Sequence, residues 1–97
     1  RSLIDYGKFL AKVLANRNVK VNIISPGNIL FKGGNWDKKL KENEKKTLEY
    51  IKKNVPINTF GNTEDISNMV LYLLSEKSKF ITGSNFIIDG GQILKYV

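Results

Sequence analysis

The chain contains no cysteine and no histidine. The first absence excludes a disulfide framework and thiolate metal sites. The second removes the side chain most used as a metal ligand and as an acid or base near neutral pH. No apolar run reaches the roughly 18 residues that would predict a membrane-spanning helix, and no signal-peptide pattern is present. Proline is scarce, and both prolines, Pro26 and Pro56, stand where regular structure should stop. Internal repeats are absent. Cysteine-free composition is compatible with a cytoplasmic location, and no membrane partner is expected.

What is present describes a globular chain. Of its 97 residues, 41% are apolar and 10% aromatic, the composition of a protein that folds around a core. The length suits one small domain. The chain nevertheless opens on Arg1 rather than Met, already inside an amphipathic pattern, which predicts a segment of a longer protein. The net charge is +7 and much of it is local: Lys38 to Lys53 holds seven lysines against three glutamates. Glu42–Lys46 and Glu49–Lys53 are spaced i,i+4, so this run reads as an exposed helix laced by ion pairs. A surface for nucleic acid or an acidic partner is the alternative. Only Tyr50 interrupts the lysines as a stacking platform, so no nucleic-acid partner is expected.

The organising stretch is Val19–Gly27. Val19, Val21 and Ile23 alternate with Lys20 and Asn22, and Ile24 closes an apolar run, which predicts a strand over Val19–Ile24 covered on both faces. Ser25-Pro26-Gly27 stops it. Before it, Leu3, Tyr6, Leu10, Val13 and Leu14 line one side of a helix over Ser2–Ala15, in which Gly7 is either merely tolerated or required by close packing of another backbone. After it, residues 28–37 form a glycine-punctuated loop, and a helix runs from Asp37 to Asn54. Thr63 is placed to cap a further helix reaching Ser75, apolar enough to be buried on more than one side. Asn85–Ile88 is a short apolar strand that breaks at Asp89-Gly90-Gly91. Helices alternating with strands predict an α/β fold, the C-terminal part of a doubly wound parallel sheet of Rossmann type. In such sheets ligands bind beyond the carboxyl ends of the strands, which makes Ser25-Pro26-Gly27 the first place to look for a site.

Together these pieces resemble the C-terminal part of a short-chain dehydrogenase/reductase. The resemblance rests on Leu-Ala-Lys-Val-Leu-Ala at 10–15, Val-Lys-Val-Asn-Ile-Ile-Ser-Pro-Gly at 19–27 and the Pro56–Gly61 turn. It continues in Thr63-Glu64-Asp65-Ile66, in Phe80-Ile81-Thr82-Gly83-Ser84 and in Ile88-Asp89-Gly90-Gly91, in that order over about ninety residues. It implies an NAD(P)-dependent oxidoreductase interconverting hydroxyl and carbonyl groups, with NAD or NADP as cofactor and a small-molecule hydroxyl or carbonyl substrate. Pro26 and Gly27 would wall the nicotinamide pocket, and Ile29 would meet the carboxamide through its backbone. Phe31 stands where the family pattern has a threonine, an apolar ring in place of a hydroxyl, and the resemblance implies that it too meets the cofactor, its ring packing against nicotinamide or substrate. Leu30 and Trp36 fall at the start of the variable substrate loop.

The resemblance also says what residues 1–97 do not carry. The phosphate-cradling glycine loop, the catalytic serine and the Tyr-x-x-x-Lys pair belong upstream. Tyr6 is followed four residues later by Leu10, Tyr50 by Asn54 and Tyr72 by Glu76, so none of these substitutes. The chain therefore reads as the C-terminal segment of one NAD(P)-binding domain whose N-terminal half lies elsewhere. No catalytic and no metal-binding residue is assigned to it, and the segment alone is expected to be inactive. The alternative is a truncated product or interaction module without catalysis. Short-chain dehydrogenases are commonly dimers or tetramers built through the helix at Ser2–Ala15 and the last helix and strand. The parent protein is thus expected to be a homodimer or homotetramer by light scattering at micromolar concentration, and a monomer there would contradict the expectation.

Overall fold

A computed structural model of the chain describes residues 2–93; Arg1, where the amphipathic pattern opens, lies outside them. The elements in order are α1 (Ser2–Leu14), β1 (Ile23–Pro26), α2 (Asn35–Glu42), α3 (Glu44–Asn54), α4 (Thr63–Leu73) and β2 (Asn85–Ile88), with 3₁₀ turns at Ala15–Arg17 and Glu76–Ser78. β1 and β2 pair in parallel with Ile23 opposite Asn85 and Pro26 opposite Ile88. A parallel pair cannot be joined by a tight turn, and here the crossover is the whole of α2, α3 and α4. The α/β architecture is as expected.

Pairing lies further toward the C-terminus than the alternation at Val19–Ile24 indicates. Regular strand begins at Ile23 and runs through Pro26, which was expected to end it. The reason is the direction of the amides. The N–H groups of Ile23 and Gly27 donate to the carbonyls of Ser84, just before β2, and of Ile88 at its end. The intervening even-numbered positions face the other way, so the missing N–H of Pro26 breaks no bond of this pair. Nor is the strand covered on both faces: Ile23, Ile24 and Ser25 are only half-buried and Pro26 is exposed.

α1 meets the sheet through its small residues rather than through the Leu3–Tyr6–Val13 side. Gly7 lies so close to Ile23 that an added Cβ would stand 2.4 Å from its Cδ1. Ala11 is buried against Gly83, whose carbonyl accepts from the Lys8 ammonium at 2.8 Å. Gly7 is therefore a packing glycine, but what packs on it is the Ile23 side chain and not the backbone that was expected. Leu3, Tyr6, Phe9 and Val13 are left on the exposed side.

The single helix expected over Asp37–Asn54 is two helices. Asn43 adopts an extended conformation (φ −158°, ψ 90°) and its side chain accepts from the Lys46 N–H, capping α3. Asparagine competes with the helix for backbone hydrogen bonds and so favours this role. The break separates Glu42 from Lys46, and neither that pair nor Glu49–Lys53 closes; the ion pair formed is Lys41–Asp37 at 3.3 Å. At the start of α4 the cap is Asn62, not Thr63: Asn62 accepts from Asp65 N–H while the Asp65 carboxylate accepts from Asn62 N–H. This reciprocal pair ties both orphan donors.

α4 was expected to be buried on more than one side, yet none of its residues is fully buried; Leu71 and the adjacent Leu74 remain 64% and 79% exposed. Nothing among the described residues covers that second face. Among the described residues the fully buried apolar core is small, comprising Ala11, Ile51 and Val55. The radius of gyration is 16.2 Å, against about 12.5 Å for a compact chain of this length. The accessible surface is 7617 Å², where a self-contained protein of this mass exposes about 5,600 Å². Large apolar side chains such as Leu71, Leu74 and Phe80 are among what its own fold leaves exposed.

The two capping assignments separate cleanly by mutation. Asn62→Ala should cost about 1 kcal/mol of stability in the protein carrying this segment, while Thr63→Ala should change it by less than half as much. Thermal unfolding of both variants checks this; an equal loss in the two would contradict the Asn62 cap.

Candidate functional site

The carboxyl end of β1 is fixed by a close approach of two backbones. A Cβ on Gly27 would lie 2.7 Å from the Asp89 Cα, so the corner closes only with glycine there. Asp89 in turn organises the turn after β2, accepting from Gly91 N–H at 2.9 Å and Ile93 N–H at 3.1 Å. Asn28 extends the brace by donating to the Gln92 amide oxygen at 2.9 Å. An Asp-Gly-Gly run is a turn signal in sequence, but its function as a brace for the β1 corner depends on a partner sixty residues earlier.

From this corner the chain passes into a one-residue extension of the sheet. Ile29 forms a parallel bridge with Gly61: Gly61 N–H donates to Asn28 C=O at 3.0 Å and Leu30 N–H to Gly61 C=O at 2.8 Å. In this pattern the bridging residue's own N–H and C=O point away from its neighbour. Among the described residues neither group of Ile29 has a hydrogen-bond partner. A donor and an acceptor are thus presented side by side beyond the strand end. Gly61 is held close, since a Cβ there would stand 2.7 Å from the Ile29 Cδ1.

The expected site residues divide among different surroundings. Ile29 lines a cleft of about 330 Å³ with Asn28, Val55, Phe60, Gly61 and Asp89. Pro26 and Gly27 line another, more open, of about 410 Å³, with Ser25, Asn85 and Gln92. Leu30 and Phe31 line neither. The Phe31 ring folds back over Gly34, whose backbone leaves room for it, and closes the turn before α2. Trp36 stacks on Tyr50 with ring centroids 5.5 Å apart and tilts against Phe60 at the same distance. The indole thereby pins α2 to α3 and to the Pro56–Gly61 turn.

Three contributors escaped the sequence reading: Asn28, Asp89 as a brace, and Phe60 as the aromatic wall between the Ile29 cleft and α2. The Asp89-Gly90-Gly91 signal was visible, but its spatial partner was not. Groups of three or more acidic side chains able to hold a metal ion are absent among the described residues.

The entrance to α2 has its own electrostatic lock. Gly33, with φ +83°, donates its N–H to the Asp37 carboxylate at 2.8 Å. This hydrogen bond, with a smaller contribution from Lys41, lowers the Asp37 pKa below its ordinary 3.8. A depressed carboxyl pKa stabilises the folded loop above the ordinary value, and that stabilisation is lost as pH falls through the folded one. An NMR titration should give Asp37 a midpoint below 3.8, with the Gly33 amide shift following the same curve; a midpoint at or above that value would contradict the lock.

A family profile described as enoyl-(acyl carrier protein) reductase matches residues 1–92. Among characterised proteins, the human 3-oxoacyl-[acyl-carrier-protein] reductase is 36% identical over 89 residues, which cover 92% of this chain and 33% of that protein. The Aquifex aeolicus 3-oxoacyl-[acyl-carrier-protein] reductase is 39% identical over 89 residues, with 92% and 34% covered. Among solved structures, 4-hydroxyisoleucine dehydrogenase complexed with NADH superimposes with a TM-score of 0.84 at 38% identity, over 96% of this chain and 37% of that one. L-sorbose reductase from Gluconobacter frateurii, complexed with NADPH and L-sorbose, gives 0.83 at 29% identity, over 95% and 37%. The chain spans about a third of the length of the curated relatives it matches.

Proposed function

Because the chain belongs to the short-chain dehydrogenase/reductase family, we propose that it forms the nicotinamide-side and substrate-side portion of an NAD(P)-dependent oxidoreductase acting on a hydroxyl or carbonyl group. The cofactor is NAD or NADP, the molecules named in the complexes of its structural neighbours. Bound there, it supplies the hydride acceptor or donor. The observation that carries this reading is the backbone of Ile29, whose N–H and C=O are turned outward beyond the carboxyl end of β1 by the bridge to Gly61. A carboxamide needs one donor and one acceptor side by side, and that is what Ile29 presents.

The rest of the segment positions and encloses. Gly27 and Asp89 set the corner from which Ile29 is presented, and Pro26 forms part of the wall beside it. Leu30 and Trp36 begin the substrate loop, and Phe31 stabilises the turn that leads into it. The proton-transferring serine, tyrosine and lysine that the family uses are supplied from outside residues 1–97. So is the missing cover over α4 and over the free edge of β1, both parts of one domain shared with that other half. In this reading the protein works as a homo-oligomer in the cytoplasm.

Residues 1–97 alone should then show neither turnover nor micromolar dinucleotide affinity, because two strands without their neighbours and without the phosphate loop cannot hold the cofactor. In the full-length protein, Ile29→Pro removes one outward donor while sparing both bridge hydrogen bonds. It should raise the dinucleotide Kd about tenfold, roughly 1.4 kcal/mol. Calorimetry on both proteins checks this. Micromolar binding by the segment, or an unchanged Kd in the variant, would overturn the assignment.

A further inference from the structure

The two pairs expected along one helix, Glu42–Lys46 and Glu49–Lys53, do not form. Among the described residues Lys38, Lys39, Lys45, Lys46, Lys52 and Lys53 have no carboxylate partner; only Lys41 pairs, with Asp37. The helix break at Asn43 folds this charge into a hairpin whose two arms enclose an open groove of about 510 Å³. Trp36 and Tyr50 form its aromatic floor, and Lys39, Asn43, Lys46 and Thr47 stand around it.

The groove is rich in donors. The Lys39 ammonium lies 4.6 Å from the centre of the Trp36 ring. The Asn43 oxygen is already taken by the Lys46 N–H, which leaves its amide N–H₂ outward. The Thr47 hydroxyl is spent on the carbonyls of Lys39 and Asn43, fixing the two helices against each other. Glu42 is the one carboxylate on the rim. Two lysines and an asparagine lining one groove suit a compact oxyanion, most of all a phosphate with several acceptor oxygens.

The position of the groove says whose phosphate it would be. Trp36 forms its floor on one side and touches Phe60 on the other, and Phe60 lines the Ile29 cleft. One aromatic wall therefore separates the cleft of the proposed chemistry from the lysine groove. We propose that the groove holds a phosphate-ester handle of the substrate, whose carbonyl or hydroxyl end reaches past Trp36 and Phe60 to the Ile29 side. This rests on the oxidoreductase reading and adds to it the class of substrate: one that carries a phosphate ester remote from the reacting carbon.

The test uses the full-length protein with its dinucleotide site saturated. Inorganic pyrophosphate is titrated calorimetrically into the wild type, into Lys39→Gln/Lys46→Gln, and into Lys52→Gln/Lys53→Gln, whose lysines lie outside the groove. Millimolar or tighter binding is expected in the wild type, weakened at least fivefold by the groove pair and less than twofold by the outer pair. Pyrophosphate should also compete with a carbonyl substrate bearing a phosphate ester and leave reduction of its dephosphorylated form unchanged. Absence of binding, or equal weakening in both double variants, would overturn the groove as a specific site. Groove binding that does not compete with the phosphorylated substrate would overturn the handle. Groove-dependent binding by a protein that reduces no carbonyl compound would keep the anion site, exclude the substrate handle, and count against the oxidoreductase reading instead.

Discussion

The structure depends on the contact between Gly27 and Asp89, where the two parallel strands end. There the backbones approach so closely that no side chain fits at residue 27. The turns around the strand ends are registered to that point. Asp89 holds the turn at Gly91 and Ile93, and Gly90, with φ +67°, tucks against Val55. The Gly90 carbonyl accepts from Ile57 N–H at 3.1 Å, which draws the Pro56–Gly61 turn onto the sheet end. Gly61 then bridges to Ile29 and turns its amide outward. Glycine at 27, 61 and 90 serves the same purpose three times, allowing chain segments distant in sequence to meet at less than side-chain distance.

Much of this was legible in the sequence, and where it was not the reason is physical. Alternating apolar residues located β1 but not its register, because register is set by the partner strand and β2 lies sixty residues away. Lysine-rich helical spacing located α2 and α3 but not the break between them. Asn43 is compatible with a helix interior, and only its hydrogen bond to Lys46 N–H shows it acting as a cap. The same holds at α4, where Thr63 and Asn62 are both good caps and Asp65 decides between them. Of the site residues, Ile29 was singled out by resemblance, whereas its presentation by Gly61 became visible only with the bridge. The hydrophobic stripe of α4 was read as burial on more than one side, which the structure does not show: none of its residues is fully buried, and nothing among the described residues covers the second face.

That uncovered surface ties the fold to the proposed function. With three fully buried apolar residues among the described ones and a 16.2 Å radius of gyration, the chain leaves apolar surface in water that, in the proposed reading, the rest of the domain covers. The outward face of α1, the second face of α4 and the free edge of β1 are the places where such sharing removes apolar area or unpaired amides from water. The lysine hairpin is different in kind. It is organised within itself, by Trp36 on Tyr50 and by the Thr47 hydroxyl, and its charge stays in solvent.

The central claim is that Ile29 offers its backbone to the dinucleotide, and amide hydrogen exchange measures it most directly. In the full-length protein without cofactor the Ile29 N–H should exchange freely, while the neighbouring Leu30 N–H, bonded to Gly61, is protected. Adding NADH or NADPH should slow exchange at Ile29 by at least tenfold and leave the ratio at Leu30 far smaller. Exchange at Ile29 that is unchanged by saturating dinucleotide would contradict the account.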